Sequence, residues 1–476
     1  MTLSVPFLII CLSIFVIAFL TRIYFLLKYQ WVGKDTFYNL LVAQEIRKKR
    51  KLPDIINRYV VPEQYDYPPL FHWFLSLFKE KYHQKLQYLS PIFDMISGTI
   101  IFCFCYHLFD SRIAILATAL YFFTPYTFDS SFSLSARSLG NCFLIISLLS
   151  LFLFLINGYV LAFAISVIFS TLVLLTHRLT TQSLVFVLLT ISVGYLSIYP
   201  LFIIASSFVF ALIVSKGFYY RVLKGHIRII RTMGKKLLDN TRRKEIINLF
   251  PNPISLIFNM PIILLSPIFF LFYYRPPLNF FVVWGLGLII LSIVWIFGQG
   301  LRHLINAIPT FTIITSIWII ESQNYIVFFW LITISIIFFI YKLYRLEKYS
   351  NIGTITNKDI LKGFDYIRFH KKNGNILFCL PLDLSYNAAY FTHCSMLSSS
   401  GGFAEGMDFN QHLHKLVYGG KINELIQNYN ADWVIIIGEK KYSISGKNVF
   451  ENETVTVIKI DEINKKNNKI IFSYKC

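Results

Sequence analysis

The chain opens on a long apolar run, LSVPFLIICLSIFVIAFLTRIYFLL, at residues 3–27. A helix crosses the hydrocarbon core of a bilayer with about 20 such residues. The run lacks the basic leader that a cleaved signal peptide carries. We therefore expect residues 3–27 to form a membrane-spanning helix.

Further apolar runs, some of spanning length and some slightly shorter, follow the first one. They predict spans at Leu86–Phe109, Ile113–Phe128, Leu139–Ile156, Tyr159–Leu175, Ser183–Ile198, Leu201–Ser215, Ile254–Tyr274, Leu278–Gly298, Leu304–Ile320 and Tyr325–Tyr341. Together with the first run this makes about eleven transmembrane helices. The two runs that meet at Tyr199-Pro200 are alternatively one broken helix, because both are short for a span.

The composition agrees with a polytopic membrane protein. Of the 476 residues, 55% are hydrophobic and only 15% are charged, and the mean hydropathy is +0.58. A soluble globular protein carries roughly a quarter charged residues. The formal charge of +20 suits anionic lipid headgroups and phosphate-bearing substrates. The sequence has no zinc-finger or aromatic-basic strand signature, so we expect membrane lipid as partner and no nucleic acid.

Hydropathy drops at about Glu347, which predicts two domains: a multi-span domain at residues 1–346, with its first loop at 28–85, and a small α/β domain at residues 347–476. Among the seven cysteines, Cys379 and Cys394 of this polar tail are the candidates for a disulfide. Short β-branched runs and capping signals predict the elements of the tail. They are a helix capped by Thr356 or Asn357 and ending near Lys371, strands at Asn375–Leu380, Trp433–Ile437 and Thr454–Ile460, and a helix near Ile422–Tyr429.

Counting the predicted spans places most polar segments on one side of the membrane. They are the loop Lys28–Lys85, the segments Asp129–Ser138 and His177–Gln182, the basic stretch Lys216–Lys244, the segment Gly298–His303 and the tail. Eleven Lys and Arg against six Asp and Glu in the first loop favour a cytoplasmic location of this face under the positive-inside rule. That rule weakens for long loops.

The first loop carries the strongest candidate for catalysis, Asp35, in Gly33-Lys34-Asp35-Thr36-Phe37-Tyr38. An apolar helical pattern, with Phe37, Leu40, Leu41 and Ile46, follows it. By the simplest interpretation Asp35 caps this helix, because an Asp before such a run satisfies orphan backbone amides. A carboxylate at the end of a membrane helix is also suited to act as a general base for an acceptor hydroxyl or amide.

The arrangement resembles the GT-C superfamily of membrane glycosyltransferases, which includes protein mannosyltransferases, oligosaccharyltransferase catalytic subunits and aminoarabinose transferases of lipid A. In that superfamily a long external loop with an acidic residue follows the first helix, as Asp35 does here, and many members have a turn like Tyr67-Pro68-Pro69. The resemblance implies a catalytic Asp35, a substrate site shaped by the Tyr67 turn, and an active face outside the cytoplasm. We follow it over the positive-inside rule.

The resemblance leaves metal dependence undecided. Metal-dependent members carry a second acidic motif after the third span, which makes Asp129 a candidate metal ligand or a group that orients the acceptor. The first loop, however, has a single Asp in Gly-Lys-Asp where oligosaccharyltransferases have an Asp-x-Asp pair. A divalent cation therefore stays open, and a lone Asp in a loop is more often merely solvated.

Five basic residues at the same face suit a phosphate: Arg137, His177, Arg178, Arg302 and His303. A guanidinium matches phosphate oxygens bidentately and neutralises the charge of a leaving phosphate. The alternative is that these residues extend to the interface and pair with lipid headgroups. Because a basic residue of a late external loop can bind donor phosphate in the superfamily, the resemblance favours Arg302.

Asp94 lies within the second predicted span, where an acid is costly unless it is paired or faces water. It is expected either near the Asp35 site, as a further substrate-binding group, or bonded to a local Ser. The basic stretch Lys216–Lys244 is typical of an amphipathic interfacial helix.

The sequence lacks a Walker loop, a Gly-x-Gly-x-x-Gly after a strand, a His-Glu-x-x-His and a nucleophile elbow. These absences argue against a primary pump, a Rossmann enzyme or a membrane protease. The resemblance implies an enzyme that transfers a sugar from a polyprenyl-phosphate donor to an extracytoplasmic glycan, lipid or protein acceptor. The chief alternative is a secondary transporter or lipid-linked sugar flippase, which would place more ionisable residues at the membrane midplane and often show inverted repeats. A second alternative is a non-catalytic relative that uses the same face for binding.

Overall fold

A computed structural model of the chain describes residues 5–29, 31–56, 59–61, 63–131, 133–238, 259–265, 273, 276–293, 300–349, 355–372, 374–399, 412–438 and 444–460. The chain divides into two compact units. The helical unit comprises Met1–Phe25, Asp66–Phe71 and Gln87–Leu346, and the mixed unit comprises Leu26–Tyr65, His72–Leu86 and Glu347–Cys476. Most of the first loop is thus grouped with the tail, whereas the sequence analysis placed it in the multi-span domain. The functional domains 1–346 and 347–476 stay a prediction.

Helices account for most of the described residues. In chain order they are α1 (Val5–Lys28), α2 (Lys34–Lys49), α3 (Leu70–Ser76), α4 (His83–Leu86), α5 (Leu89–Leu108), α6 (Ser111–Phe123), α7 (Pro125–Ser131), α8 (Ala136–Asn157), α9 (Val160–Thr176), α10 (Arg178–Gly194), α11 (Tyr199–Val214), α12 (Phe218–Leu238), α13 (Asn279–Ile293), α14 (Ile308–Ser322), α15 (Tyr325–Tyr349), α16 (Lys358–His370), α17 (Ser385–Thr392), α18 (412–418) and α19 (Ile422–Asn428). A 3-10 segment, Gly300–Ala307, leads into α14.

Five stretches among the described residues are long and apolar enough to cross a membrane: Val5–Tyr24, Leu89–Leu108, Ala136–Asn157, Arg302–Ser322 and Tyr325–Tyr344. The apolar helices α6, α9, α10, α11 and α13 are shorter. Most predicted spans coincide with a single helix, but Ile113–Phe128 is divided at Thr124 between α6 and α7. Most of Ile254–Tyr274 lies outside the described residues. The architecture is that of a multi-pass helical membrane protein, and the count of about eleven spans stays a prediction.

The helical unit packs through small residues and aromatic rings. Ser147 of α8 and Ser170 of α9 approach to 2.6 Å between their hydroxyl oxygens, as is common where helices meet in a membrane. A Cβ on Gly98 of α5 would lie 2.2 Å from the Phe122 ring, so this glycine is required for the ring to pack. Trp284 of α13 is fully buried in the same core.

Asp94 is paired inside the helical unit. Arg22 of α1, itself fully buried, forms an ion pair with the Asp94 carboxylate. The Tyr121 hydroxyl donates to the other carboxylate oxygen over 2.9 Å, and Arg22 also donates to the Phe122 carbonyl over 3.0 Å. The expected bond to a local Ser is therefore wrong, because charges at membrane depth are stabilised most by an opposite charge. A substrate-binding role for Asp94 stays a prediction.

The mixed unit is built on a six-stranded sheet. The strands are β1 (Trp31–Val32), β2 (Ile55–Ile56), β3 (Tyr59–Val61), β4 (Glu63–Gln64), β5 (Ile355–Thr356), β6 (Ile376–Leu380), β7 (Ser395–Ser399), β8 (Trp433–Ile437), β9 (Lys447–Glu451) and β10 (Val455–Lys459). The order β3-β7-β6-β8-β10-β9 joins four parallel strands to an antiparallel pair at the β8 edge. The predicted strands appear as β6, β8 and β10, and the Asn357 side chain caps α16 by accepting the Ile360 amide over 2.8 Å.

Most of the first loop, Leu26–Tyr65 and His72–Leu86, is part of this unit. Its strand β3 pairs with β7, and β1 pairs with β5 just before α16. The Trp31 and Phe37 rings pack edgewise and tilted against Tyr390 of α17, at centroid distances of 5.8 and 5.5 Å. His83 shares a 2.9 Å hydrogen bond with the hydroxyl of the same Tyr390. These two parts of the loop therefore fold together with the tail.

The suggested disulfide between Cys379 and Cys394 is absent, since both are buried free thiols. In the parallel pair β6–β7, Ile376 lies opposite Ser395. Cys379 is thus offset from Cys394 by about four residues along the strands, on the order of 13 Å. A disulfide needs Cα atoms within about 7 Å, so the register forbids the bond.

Candidate active site

The N-termini of two helices of the helical unit meet at the candidate site. Helix α8 begins after Ser135, whose hydroxyl accepts the Arg137 amide over 3.2 Å. Helix α10 begins after His177, whose ring nitrogen Nδ1 accepts the Thr180 amide over 3.3 Å. Gly140 allows the close approach, because a Cβ there would lie 3.0 Å from the His177 Cβ. Two helix N-termini together favour an anion.

Of the five basic residues predicted for this face, four are close enough to the fifth, His177, to act electrostatically on its ring. Burial lowers the pKa of His177 well below its ordinary value, and the charges of Arg137, Arg302, His303 and Arg178 lower it further. His177 is therefore neutral at physiological pH. Because Nδ1 accepts a backbone N–H, the ring proton sits on Nε2, which is suited to donate to a phosphate oxygen.

These basic residues differ in exposure. Arg302 is exposed, Arg137 is half-buried, and Arg178 is buried at the first position of α10. His303 is fully buried, and its Nδ1 lies 3.0 Å from the Ser183 hydroxyl. The Asn306 amide donates to that hydroxyl over 2.7 Å, so the Ser183 proton is directed to His303. His303 is thereby held in place rather than presented as a free cation.

Asp66 is the site residue that the sequence did not reveal. Nη2 of Arg178 donates to the Asp66 carboxylate over 2.9 Å and to its backbone carbonyl over 2.8 Å. The Tyr67 ring lies 5.5 Å from the guanidinium carbon, within cation–π range. Burial raises the pKa of Asp66, and the Arg178 charge opposes that rise. The sequence feature that could have indicated Asp66 is its position between two tyrosines, directly before Pro68-Pro69.

The residues that flank this segment, Tyr65 and His72, are bonded to each other within the mixed unit. The Tyr65 hydroxyl lies 2.7 Å from His72 Nδ1, and His72 Nε2 lies 2.7 Å from the Asn39 amide oxygen. An amide oxygen only accepts, so Nε2 carries the proton and Nδ1 accepts from Tyr65. Burial lowers the pKa of His72 to about 3, which keeps the ring neutral.

Asp35 is the second residue of α2 and is exposed. The N-cap position belongs to Gly33, with a φ of 86° and no side-chain capping bond. The capping interpretation of Asp35 is therefore wrong: the chain turns at Gly33, and Asp35 is already inside the first helical turn. The predicted apolar face of α2 is confirmed, since Phe37, Leu40 and Ile46 are buried.

Asp129 lies in α7, and its side chain falls outside the described residues. Across the part of the chain that is described, no three His, Cys, Asp or Glu side chains come together as metal ligands. A divalent cation at this site therefore stays a prediction from the sequence.

Solved structures of membrane enzymes resemble most of the chain. AglB, the archaeal oligosaccharyltransferase from Archaeoglobus fulgidus, in complex with an inhibitory peptide and a dolichol-phosphate, superposes with a TM-score of 0.57 at 11% identity, over 90% of this chain and 69% of that one. ArnT from Cupriavidus metallidurans bound to undecaprenyl phosphate gives 0.58 at 10% identity, over 98% and 99%. The same Archaeoglobus enzyme in complex with Zn and sulfate gives 0.54 at 12% identity, over 89% and 68%.

No family model matches the sequence, and no curated protein does. At identities near 10% the likeness carries the fold and no more. Both AglB and ArnT are GT-C glycosyltransferases, and the similarity to ArnT runs over nearly the full length of both chains. The resemblance inferred from the first loop is confirmed at this level: the chain folds like the GT-C membrane glycosyltransferases.

Proposed function

We propose that this protein is a membrane glycosyltransferase that transfers a sugar from a polyprenyl-phosphate donor to an extracytoplasmic acceptor. The observation that carries the proposal is the gathering of Arg137, Arg178 and Arg302 around His177, at two helix N-termini, in a chain with the GT-C fold. AglB and ArnT were solved with dolichol-phosphate and undecaprenyl phosphate, which supports a polyprenyl-phosphate carrier here.

The basic residues would hold the phosphate of the donor. Arg178 is fixed by Asp66 and by the Tyr67 ring before any substrate arrives, and a charge that is already oriented stabilises a transition state best. Arg137 and Arg302, which are more accessible, would add donors from two other helix starts. The Nε2 proton of His177 would complete the set with a neutral donor.

The reaction then needs one base and one leaving group. An acceptor hydroxyl or amide attacks the anomeric carbon of the sugar, the bond from that carbon to the phosphate oxygen breaks, and the polyprenyl phosphate departs with the electron pair. Asp35 is proposed to take the acceptor proton. The guanidinium groups neutralise the charge that develops on the leaving phosphate.

The test is transfer of radiolabelled sugar from purified polyprenyl-phosphate donors by the purified protein and its Asp35→Asn variant. We expect the variant to lose activity by about 100-fold or more, the usual range for removing a general base. Asp359→Asn is the matched control, because Asp359 is likewise the second residue of a helix and partly exposed. Full activity of Asp35→Asn would remove Asp35 from the mechanism, and absence of transfer by the unmodified protein would contradict the proposed function.

A further inference from the structure

Helix α12 is amphipathic, as the basic stretch predicted, and both of its faces are defined. Tyr219, Val222 and His226 are buried. The exposed positions form a stripe at helical spacing, Tyr220, Lys224, Ile227 and Arg231. The buried face packs on Leu174 and Leu175 of α9, which places it beside the start of α10.

The same face lies directly on the Asp66–Arg178 pair. A Cβ on Gly225 would stand 2.4 Å from Oδ2 of Asp66 and 2.6 Å from its Cγ. Only a glycine allows the α12 backbone to approach this carboxylate so closely. His226, the next residue, is close enough to Arg178 for the guanidinium charge to act on its ring.

Three polar atoms around this contact are buried without a hydrogen-bond partner among the described residues: Oδ2 of Asp66, the hydroxyl of Tyr219 and Nε2 of His226. Leaving such a group unsatisfied costs about 1–3 kcal/mol, so folded proteins contain few of them. Three such atoms beside one ion pair indicate a site at which a ligand supplies the missing hydrogen bonds.

The chemistry of the three atoms indicates the ligand. A carboxylate oxygen accepts, a phenol both donates and accepts, and a neutral imidazole nitrogen does one or the other. Neighbouring hydroxyls of a sugar ring satisfy this mixture, whereas the Asp66 carboxylate would repel a second anion. The aromatic ring of Tyr67 lies nearby, with its centroid 5.5 Å from the guanidinium carbon of Arg178.

We propose that α12 forms one wall of a sugar-binding subsite, in which Asp66, Tyr219 and His226 bond to hydroxyls of the donor's sugar. This inference rests on the proposed function and extends it to residues that the family resemblance did not assign.

The test compares two single-atom changes on opposite faces of α12. Tyr219→Phe removes the buried hydroxyl that has no partner among the described residues. Tyr220→Phe removes the hydroxyl of the neighbouring residue, which is 58% exposed. Binding to the protein in lipid nanodiscs is measured for undecaprenyl phosphate and for the same lipid phosphate carrying mannose, glucose, galactose or N-acetylglucosamine. For the sugar lipid that the unmodified protein prefers, Tyr219→Phe should weaken binding by about fivefold to tenfold, one hydrogen bond's worth.

Binding of undecaprenyl phosphate should not change in either variant, and Tyr220→Phe should bind the sugar lipid normally. The ligand-free Tyr219→Phe protein should melt at or above the temperature of the unmodified protein, because an unsatisfied group has been removed. Equal sugar-lipid affinity in Tyr219→Phe and the unmodified protein, or equal losses for both lipids, overturns the subsite. The subsite is also overturned if the unmodified protein binds undecaprenyl phosphate but prefers no sugar lipid. If the unmodified protein binds neither kind of lipid, the proposed function is overturned as well.

Discussion

Gly225 and Asp66 should be strongly coupled in stability. Alone, Gly225→Ala gains about 1 kcal/mol of helix propensity but forces a methyl group to within 2.4 Å of the Asp66 carboxylate. Overpacking of this kind costs about 1–3 kcal/mol. Asp66→Ala alone removes the carboxylate that pairs with buried Arg178, which costs about 3–5 kcal/mol.

In the double variant the clash is largely gone. The atoms at 2.4 and 2.6 Å are deleted with the carboxylate, and the remaining Cβ of residue 66 lies 3.1 Å from the new methyl. Gly225→Ala should therefore be neutral or stabilising by up to about 1 kcal/mol in the Asp66→Ala background. The coupling between the two changes should be about 1–3 kcal/mol.

The four proteins are compared by reversible unfolding in detergent micelles, from which the free energy of unfolding is obtained. Gly287→Ala is the matched control, because its Cβ would meet Thr190 Oγ1 at 2.5 Å instead of Asp66. It should add to Asp66→Ala within about 0.5 kcal/mol. If Gly225→Ala changes the free energy of unfolding equally with and without the Asp66 carboxylate, α12 does not contact Asp66. In that case α12 cannot form part of the sugar subsite.

Two further predictions concern ionisable residues that are buried. Burial holds the pKa of His226 at about 3, so between pH 6.5 and 3 the folded chain binds fewer protons here than the unfolded chain, and this residue should lower stability by about 2 kcal/mol at pH 5 relative to pH 7. His226→Gln should flatten the pH dependence of the unfolding free energy by that amount, and an unchanged slope would show that His226 is solvated. Arg22→Leu should destabilise the protein by about 3–5 kcal/mol, because it leaves Asp94 unpaired, and adding Asp94→Leu should recover most of that loss. Thermal unfolding of the single and double variants measures the effect. If the double variant is destabilised by the sum of the two single changes, the two residues are not paired.

The elements of this fold were predictable where the signal is local. Lipid demands a continuous apolar helix, so residues 3–27 and the later runs identify helices without any knowledge of their neighbours. The β-branched runs at Trp433–Ile437 and Thr454–Ile460 and the cap at Asn357 are equally local. In each case the side chains of one segment determine its own conformation.

Pairings across long sequence separation were not predictable. Strand β3 at Tyr59–Val61 pairs with β7 more than 300 residues later, and neither segment carries a mark of the other. Arg22 and Asp94 each appear in the sequence as an isolated charge in an apolar run, and their pairing depends on which spans are neighbours. Asp66 was missed for the same reason, because its burial is produced by α12 and α10.

The basic residues differ in how far their side chains are already fixed by neighbouring groups. The family resemblance favoured Arg302, which is exposed and must lose side-chain freedom to hold a phosphate. Arg178 has lost that freedom already, through two bonds to Asp66 and the Tyr67 ring. A fixed charge in a buried setting acts on a developing phosphate charge without reorganising. We therefore infer that Arg178 serves the chemical step and Arg302 the capture of donor, so Arg178→Lys should lower kcat, and Arg302→Lys should mainly raise KM.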